Sequence, residues 1–138
     1  MGAAQTDVLK RVPLFSELRR KELQKVAAAM TERTFSAGET ITKEDEISVG
    51  FFVIDEGRAR VSMRDQTLDE LGPGDYFGEI ALVAETPRTA TVTAETDLRC
   101  FSMTSWDFRA LVDSNAEIAW ILLASTAKKL YEDRARWE

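Results

Sequence analysis

One segment of this 138-residue chain combines residue types that suit a phosphorylated sugar. Residues 77–92 read FGEIALVAETPRTATV, with one carboxylate at Glu79 and one guanidinium at Arg88. Gly78 and the short apolar run after it can open a single helical turn whose free backbone N–H groups cradle an anion. Arg88 supplies a planar fork of donors for phosphate oxygens, and Glu79 suits sugar hydroxyls because a carboxylate only accepts hydrogen bonds. The segment therefore predicts a site for one ligand that carries a sugar and a single phosphate close together.

Two runs in this segment match a known sequence pattern at every element. Residues 77–82 read FGEIAL and residues 87–92 read PRTATV. The segment resembles the phosphate-binding cassette of the cyclic nucleotide-binding domain family, with the pattern F-G-E-[IL]-[AS]-L, a short spacer and P-R-[AST]-A-[TS]-V. The resemblance implies that Glu79 binds the ribose 2′-hydroxyl and that Arg88 binds the cyclic phosphate. It also implies that Phe77 and Gly78 belong to the ligand-binding site and that backbone N–H groups complete the phosphate shell near Ile80, Ala81, Thr89 and Ala90.

The elements that position this cassette are predicted to be short antiparallel strands. From Thr34 to Thr104, β-rich runs alternate with turn signals, and Gly72-Pro73-Gly74-Asp75 comes directly before the cassette. Seven or eight such strands predict a mainly β fold, an antiparallel jelly-roll barrel (double-stranded β-helix) with an N-terminal helix and two C-terminal helices. We expect a single domain with helices over residues 1–33, the barrel over 34–104, and hinge and lid helices over 105–137. The resemblance implies the same order.

Capping residues and breaks predict where the helices begin and end. Ser16 is expected to cap an N-terminal helix, and Ser105 is expected to cap a second helical region with Asp107 near its start. Asp113-Ser114-Asn115 is expected to break that region. A last helix is then expected from about Ala116 to Trp137.

The last predicted helix carries a stripe of residues at alternating steps of four and three. Such a stripe is either a face packed within the chain or an association seam, and the seam would form a homodimer through Leu123 and Leu130. The sequence leaves both interpretations open. The stripe comprises Ala116, Trp120, Leu123, Ala127, Leu130, Arg134 and Trp137.

By resemblance to the family, this helix also covers the ligand base as a lid, with Leu130, Asp133 and Arg134 near the base. A carboxylate at Asp133 can accept from the N1–H and exocyclic N–H₂ of guanine, whereas adenine presents an acceptor at N1. Thr89 can hydrogen-bond a purine in the syn orientation, and family members that prefer cyclic GMP also carry Thr beside the arginine. However, many bacterial relatives respond to cyclic AMP with Ser or Thr there, and Asp133 could equally be a solvated residue paired with Lys129. Cyclic AMP is therefore the expected ligand, with cyclic GMP as the alternative.

Composition argues against several other classes of function. The chain has 18 Lys and Arg against 24 Asp and Glu, and its net charge of −6 disfavours sequence-independent binding of nucleic acid. It has no histidine, which removes Ser-His-Asp triads and the histidine metal sites of cupin-type enzymes. The single Cys100 is expected to be a buried strand thiol, which suits a reducing, cytoplasmic compartment. The longest apolar run, 119–124, is too short to span a bilayer, so membrane insertion is not expected.

These features favour a regulatory sensor, without catalytic activity or a cofactor, that binds cyclic AMP or cyclic GMP. Ligand occupancy would be converted into movement of the C-terminal helices about a hinge at residues 113–115. The first alternative is the sensor part of a catabolite-activator-type transcription regulator or of another longer effector. The second is a degenerate, non-binding interaction domain in which Glu79 and Arg88 form only a surface salt bridge.

Overall fold

The computed structural model of the protein describes residues 3–43, 50–84 and 90–137. These residues form two compact units. The helical unit is drawn from Met1–Ala29 and Phe108–Glu138, and the β unit is Met30–Asp107. Within the described ranges, no helix is long and apolar enough to cross a membrane.

The described part of the β unit contains short strands in two antiparallel sheets. They are β1 (Thr31–Phe35), β2 (Thr40–Thr42), β3 (Phe51–Glu56), β4 (Ala59–Met63), β5 (Gln66–Leu71), β6 (Tyr76–Phe77), β7 (Thr91–Ala94) and β8 (Leu98–Met103). One sheet has the order β1-β8-β3-β6 and the other the order β2-β7-β4-β5. The predicted jelly-roll fold class, mainly β with flanking helices, is confirmed. Among the described strands, hydrogen bonding stays within each four-stranded sheet and does not close a continuous barrel.

The core of the β unit forms from side chains of both sheets, because successive residues of a strand point to opposite faces. Ile54 of β3 lies opposite Cys100 of β8, so the two share a face. One cluster of buried residues contains Phe35, Phe52, Ile54, Ala59, Val92, Ala94, Leu98 and Cys100. The prediction of a buried thiol at Cys100 is therefore confirmed, and burial raises its pKa to about 11. The thiol stays protonated at neutral pH, which makes it a poor nucleophile.

The turn Gly72–Asp75 fixes the start of β6 and hence of the cassette. The Gly72 N–H donates to the Asp75 carboxylate (2.8 Å), and the Asp75 N–H donates to the Gly72 carbonyl (3.0 Å). Gly74 has φ +89°, a left-handed conformation that glycine adopts without steric cost. The turn is also hydrogen-bonded to β3, because Gly74 N–H donates to the Ile54 carbonyl and Ile54 N–H donates to the Asp75 carbonyl, both at 2.8 Å.

The helical unit contains α1 (Ala3–Lys10), a 3₁₀ turn (Pro13–Phe15), α2 (Arg20–Ala28), most of α3 (Ser105–Ser114) and α4 (Ala116–Trp137). The predicted break after α3 and the predicted extent of the last helix are confirmed. The Asn115 amide donates to the Leu111 carbonyl (2.8 Å) and so satisfies a carbonyl at the end of α3. The buried interior of this unit includes Leu9, Val12, Phe15, Leu18, Leu23, Val26, Phe108, Ile118 and Leu122.

Both predicted helix caps lie at the wrong residue. Ser16 ends the 3₁₀ turn, where its hydroxyl donates to the Pro13 carbonyl (2.9 Å), and α2 is instead capped by Arg19, whose N–H donates to the Glu22 carboxylate (3.1 Å). At α3, the Asp107 N–H donates to the Thr104 hydroxyl (3.1 Å), so Thr104 and not Ser105 is the capping residue. β1 begins at Thr31, slightly before the predicted start of the barrel at residue 34.

Candidate functional site

Gly78 redirects the chain from β6 into the cassette. Its φ of +88° lies in the left-handed region, where a residue with a Cβ would be strained. A 3₁₀ turn, Glu79–Leu82, follows immediately, and this is the single helical turn that the sequence predicts after Gly78. Leu82 is buried and anchors the end of the turn, so Glu79 has a defined place as its first residue.

Phe77 holds the start of the cassette against the core of the β unit. Its ring stacks on the ring of Phe52, with centroids 5.0 Å apart and an interplanar angle of 16°. Phe52 also meets Phe35 edge-on at 6.4 Å. The register of β3 with β6 places Phe52 directly opposite Phe77, so the stack follows from strand pairing. The sequence analysis did not single out Phe52, and the apolar run around it carries no signal beyond a buried strand.

Glu79 is half-buried, and its charge acts on the neighbouring phenol of Tyr76. Burial raises the pKa of Tyr76, and the negative charges of Glu79 and Asp75 raise it further. The Tyr76 hydroxyl is therefore protonated at neutral pH. Because two carboxylates act on this phenol, a ligand that approaches Glu79 is favoured when it brings hydroxyl or other donor groups. Tyr76 was missed as a neighbour of the site, although the sequence places it three residues before Glu79.

The structure describes only some of the remaining cassette residues. The backbones of Ile80 and Ala81 lie in the 3₁₀ turn, and Ala90 is half-buried directly before β7. Arg88 and Thr89 lie outside the described residues. The described structure therefore brings together Phe77, Gly78, Glu79 and the 3₁₀ turn, while the roles given to these residues stay predictions.

The predicted lid residues all lie on α4 in the helical unit. Leu130, Asp133 and Arg134 are exposed. The interpretation of Asp133 as a partner of Lys129 is wrong, because the Lys129 ammonium makes no hydrogen bond to it. The contact of these residues with a base stays a prediction. Among the described residues, no cluster of cysteine and acidic side chains could hold a metal ion.

Comparison with known proteins identifies the class of protein that this fold and cassette define. Residues 32–115, more than half of the chain, match the family model described as the cyclic nucleotide-binding domain. The chain belongs to the cyclic nucleotide-binding domain family. The predicted family and the predicted regulatory nucleotide-binding function are thereby confirmed.

Curated relatives include channels and kinase regulatory subunits. A cyclic nucleotide-gated potassium channel of Rhizobium etli is 40% identical over 108 residues, which cover 78% of this chain and 30% of the relative. A cAMP-dependent protein kinase regulatory subunit of Eremothecium gossypii is 35% identical over 113 residues, which cover 81% of this chain and 25% of the relative. The chain thus spans between a quarter and a third of the length of these relatives.

Solved structures with the same fold include a domain of a transcriptional regulator and a regulatory domain of PKA. The N-terminal domain of a transcriptional regulator from Streptomyces coelicolor A3(2) superposes with a TM-score of 0.86 at 28% identity, covering 96% of both chains. The regulatory domain of Toxoplasma gondii PKA with cAMP superposes with a TM-score of 0.71 at 28% identity, covering 83% of this chain and 46% of that one.

Proposed function

We propose that this chain is a non-catalytic sensor that binds a cyclic purine nucleotide beside the 3₁₀ turn Glu79–Leu82. Glu79 accepts a hydrogen bond from the ribose 2′-hydroxyl, and Arg88 binds the cyclic phosphate. The observation that carries the proposal is the position of a half-buried Glu79 directly after the left-handed Gly78, in a segment that lies inside the family match. A carboxylate only accepts hydrogen bonds, so Glu79 suits a ligand that donates through hydroxyl groups.

We further propose cyclic AMP as the preferred ligand and cyclic GMP as the alternative. The kinase relatives and the Toxoplasma structure are named for cAMP, which favours the adenine nucleotide. The observation that favours cyclic GMP is Asp133, an exposed carboxylate on α4 that makes no hydrogen bond with Lys129. In that case Asp133 and Thr89 read the donor edge of guanine, with Leu130 and Arg134 beside the base.

The signal that follows binding is a movement of α4 about residues 113–115. Two interactions connect the hinge and the start of α4 to the region around α2, and they must break or rearrange when α4 moves. Lys25 donates to the Asn115 side chain at 2.9 Å, and Arg19 forms an ion pair with Glu117. Because both interactions are exposed to solvent, they resist the movement only weakly.

The partner that receives this signal belongs to a longer protein or to a second copy of the chain, in a cytoplasmic setting. The relatives place the same domain in potassium channels, kinase regulatory subunits and a transcriptional regulator. The exposed stripe on α4, with Leu123 at 62% and Leu130 at 60% exposure, supports the homodimer seam. Sedimentation of the chain with and without nucleotide tests this seam, because the double variant Leu123→Ser/Leu130→Ser should remain monomeric.

Calorimetric titration with cyclic AMP and cyclic GMP tests the ligand and its site together. We expect a dissociation constant at or below tens of micromolar, or about −6 kcal/mol. Arg88→Ala should cost about 2–5 kcal/mol of binding, because it removes the cation paired with the phosphate. Glu79→Ala should weaken binding of the ribonucleotide but not of its 2′-deoxy analogue. Exposed residues serve as controls, and Glu95→Ala and Arg20→Ala should bind as the parent does.

Three results would change this proposal. If neither nucleotide binds at millimolar concentration, the chain is a degenerate interaction domain. If Arg88→Ala binds as tightly as the parent, the phosphate lies elsewhere. If Asp133→Ala leaves the preference between the two nucleotides unchanged, the residue is a surface acid and base choice depends on the cassette.

A further inference from the structure

The buried face of α4 changes in polarity along the helix. It contains Ile118, Leu122 and Ser125, at 1%, 6% and 5% exposure. The same face continues one turn further to Lys129, because residues three and four apart lie on one side of a helix. The buried face thus begins with aliphatic residues and ends with an ammonium group.

Lys129 is a cation without a hydrogen-bond partner in the part of the chain that the structure describes. Its ammonium nitrogen is buried, although the side chain as a whole is only half-buried. An ammonium that is buried without a protein acceptor costs free energy, because the lost hydration is not replaced by a hydrogen bond within the chain. Burial of Ile118 and Leu122 therefore favours the observed position of α4, while burial of the Lys129 ammonium opposes it.

Lys128, its immediate neighbour, is an exposed lysine on the same helix. Its side chain is 64% exposed, and its ammonium lies 3.8 Å from the Glu17 carboxylate. The two lysines have the same side chain and adjacent backbone positions. They differ in whether the ammonium keeps its water, so Lys128 is a matched control for Lys129.

We infer that Lys129 is a destabilising residue that lowers the free energy needed to release α4 from its observed position. When the helix moves away, the ammonium regains its hydration, and this gain offsets part of the cost of exposing Ile118 and Leu122 to water. The free energy of opening α4 is therefore smaller than the value expected from the burial of its aliphatic residues alone. This inference concerns α4 in the nucleotide-free protein and does not depend on nucleotide binding.

Amide hydrogen exchange of α4 in the nucleotide-free protein tests the inference. Lys129→Met keeps an unbranched side chain of similar length and removes the charge. It should slow exchange across α4 about tenfold, the ratio expected for removal of one unsatisfied buried polar group. It should also raise the melting temperature by about 3 °C or more. Lys129→Arg keeps the charge and should not slow exchange, and Lys128→Met should change exchange by less than about twofold.

The competing explanation is that Lys129 stabilises α4 through an acceptor. In that case Lys129→Met would speed exchange and lower the melting temperature, and the inference would be wrong. It would also be wrong if Lys129→Met left exchange unchanged or slowed it no more than Lys128→Met does. Because no nucleotide is present, failure here is separate from failure of the ligand titrations.

Discussion

The stacked pair of Phe52 and Phe77 should be energetically coupled, and this coupling should position the cassette. The perturbation is a double-mutant cycle of Phe52→Leu, Phe77→Leu and the double variant. The rings lie 5.0 Å apart at 16°, within the range at which aromatic pairs contribute about 0.5–1.5 kcal/mol beyond burial. Phe52 is only 5% exposed, so water does not take the place of a removed ring. We therefore expect a coupling energy of about 1 kcal/mol.

Each single variant should also lower the free energy of unfolding on its own. Phe52→Leu removes both the stacking on Phe77 and the edge-on packing against Phe35, so it should cost more than Phe77→Leu. A change of about 1–1.5 kcal/mol is expected for Phe77→Leu, because the substitution keeps an apolar side chain of reduced volume. Urea denaturation followed by tryptophan fluorescence measures these values.

Phe101 provides the control cycle within the same sheet. It lies opposite Val53 and therefore on the other face of the sheet from Phe52. Phe101→Leu combined with Phe77→Leu should be additive within about 0.3–0.5 kcal/mol. If the Phe52–Phe77 cycle is equally additive, the stack does not hold the cassette. If it is coupled, Phe77→Leu should weaken nucleotide binding although Glu79 is intact.

Three further predictions concern stability. Gly57→Ala should destabilise the protein by about 2–4 kcal/mol in urea, because φ is +98° and a Cβ would lie 2.4 Å from the Asp97 carbonyl oxygen. Gly38→Ala, with φ +90° and open space around the Cβ, should cost only about 1–2 kcal/mol, and equal destabilisation would contradict the steric argument. Thr104→Ala should cost about 1 kcal/mol because it removes a helix cap, whereas Ser105→Ala should be nearly neutral. Burial raises the pKa of Glu22, but hydrogen bonds from Arg19 outweigh this and leave the pKa below its ordinary value. The stabilisation from Glu22 is therefore full above about pH 4.3 and is lost as the pH falls further, so Glu22→Gln should reduce the drop in melting temperature between pH 6 and pH 3.

The backbone at the start of the cassette could be predicted from the sequence, because its conformation depends on residues that are close together in the chain. The turn Gly72–Asp75 and the left-handed Gly78 require glycine for local steric reasons, and the 3₁₀ turn follows directly. The extent of α4 could also be predicted from local sequence, because a break at residues 113–115 precedes a long stretch without Gly or Pro. Such features do not depend on which strands pair.

The features that could not be predicted from the sequence depend on competition between neighbouring capping residues or on the register of paired strands. Ser105 and Thr104 have similar capping tendencies, and the end of β8 at Met103 decides between them. Ser16 is used by the 3₁₀ turn that Pro13 begins, which leaves Arg19 to cap α2. The stack of Phe52 on Phe77 requires the register of β3 with β6, which no local pattern contains.

The two parts of the proposed sensor differ in how firmly they are held. Glu79 follows a strand that is hydrogen-bonded to β3 and carries a ring stacked on the core, so its position is fixed by several independent interactions. The proposed lid residues lie on α4, where a buried ammonium without a hydrogen-bond partner among the described residues opposes the apolar packing of the same face. A ligand can shift an equilibrium only by its differential affinity for two states. A firmly held Glu79 supplies affinity, and a helix with a small free energy of opening can be moved by modest binding energy. Strengthening α4 at Lys129 should therefore reduce the response to nucleotide even where binding is retained.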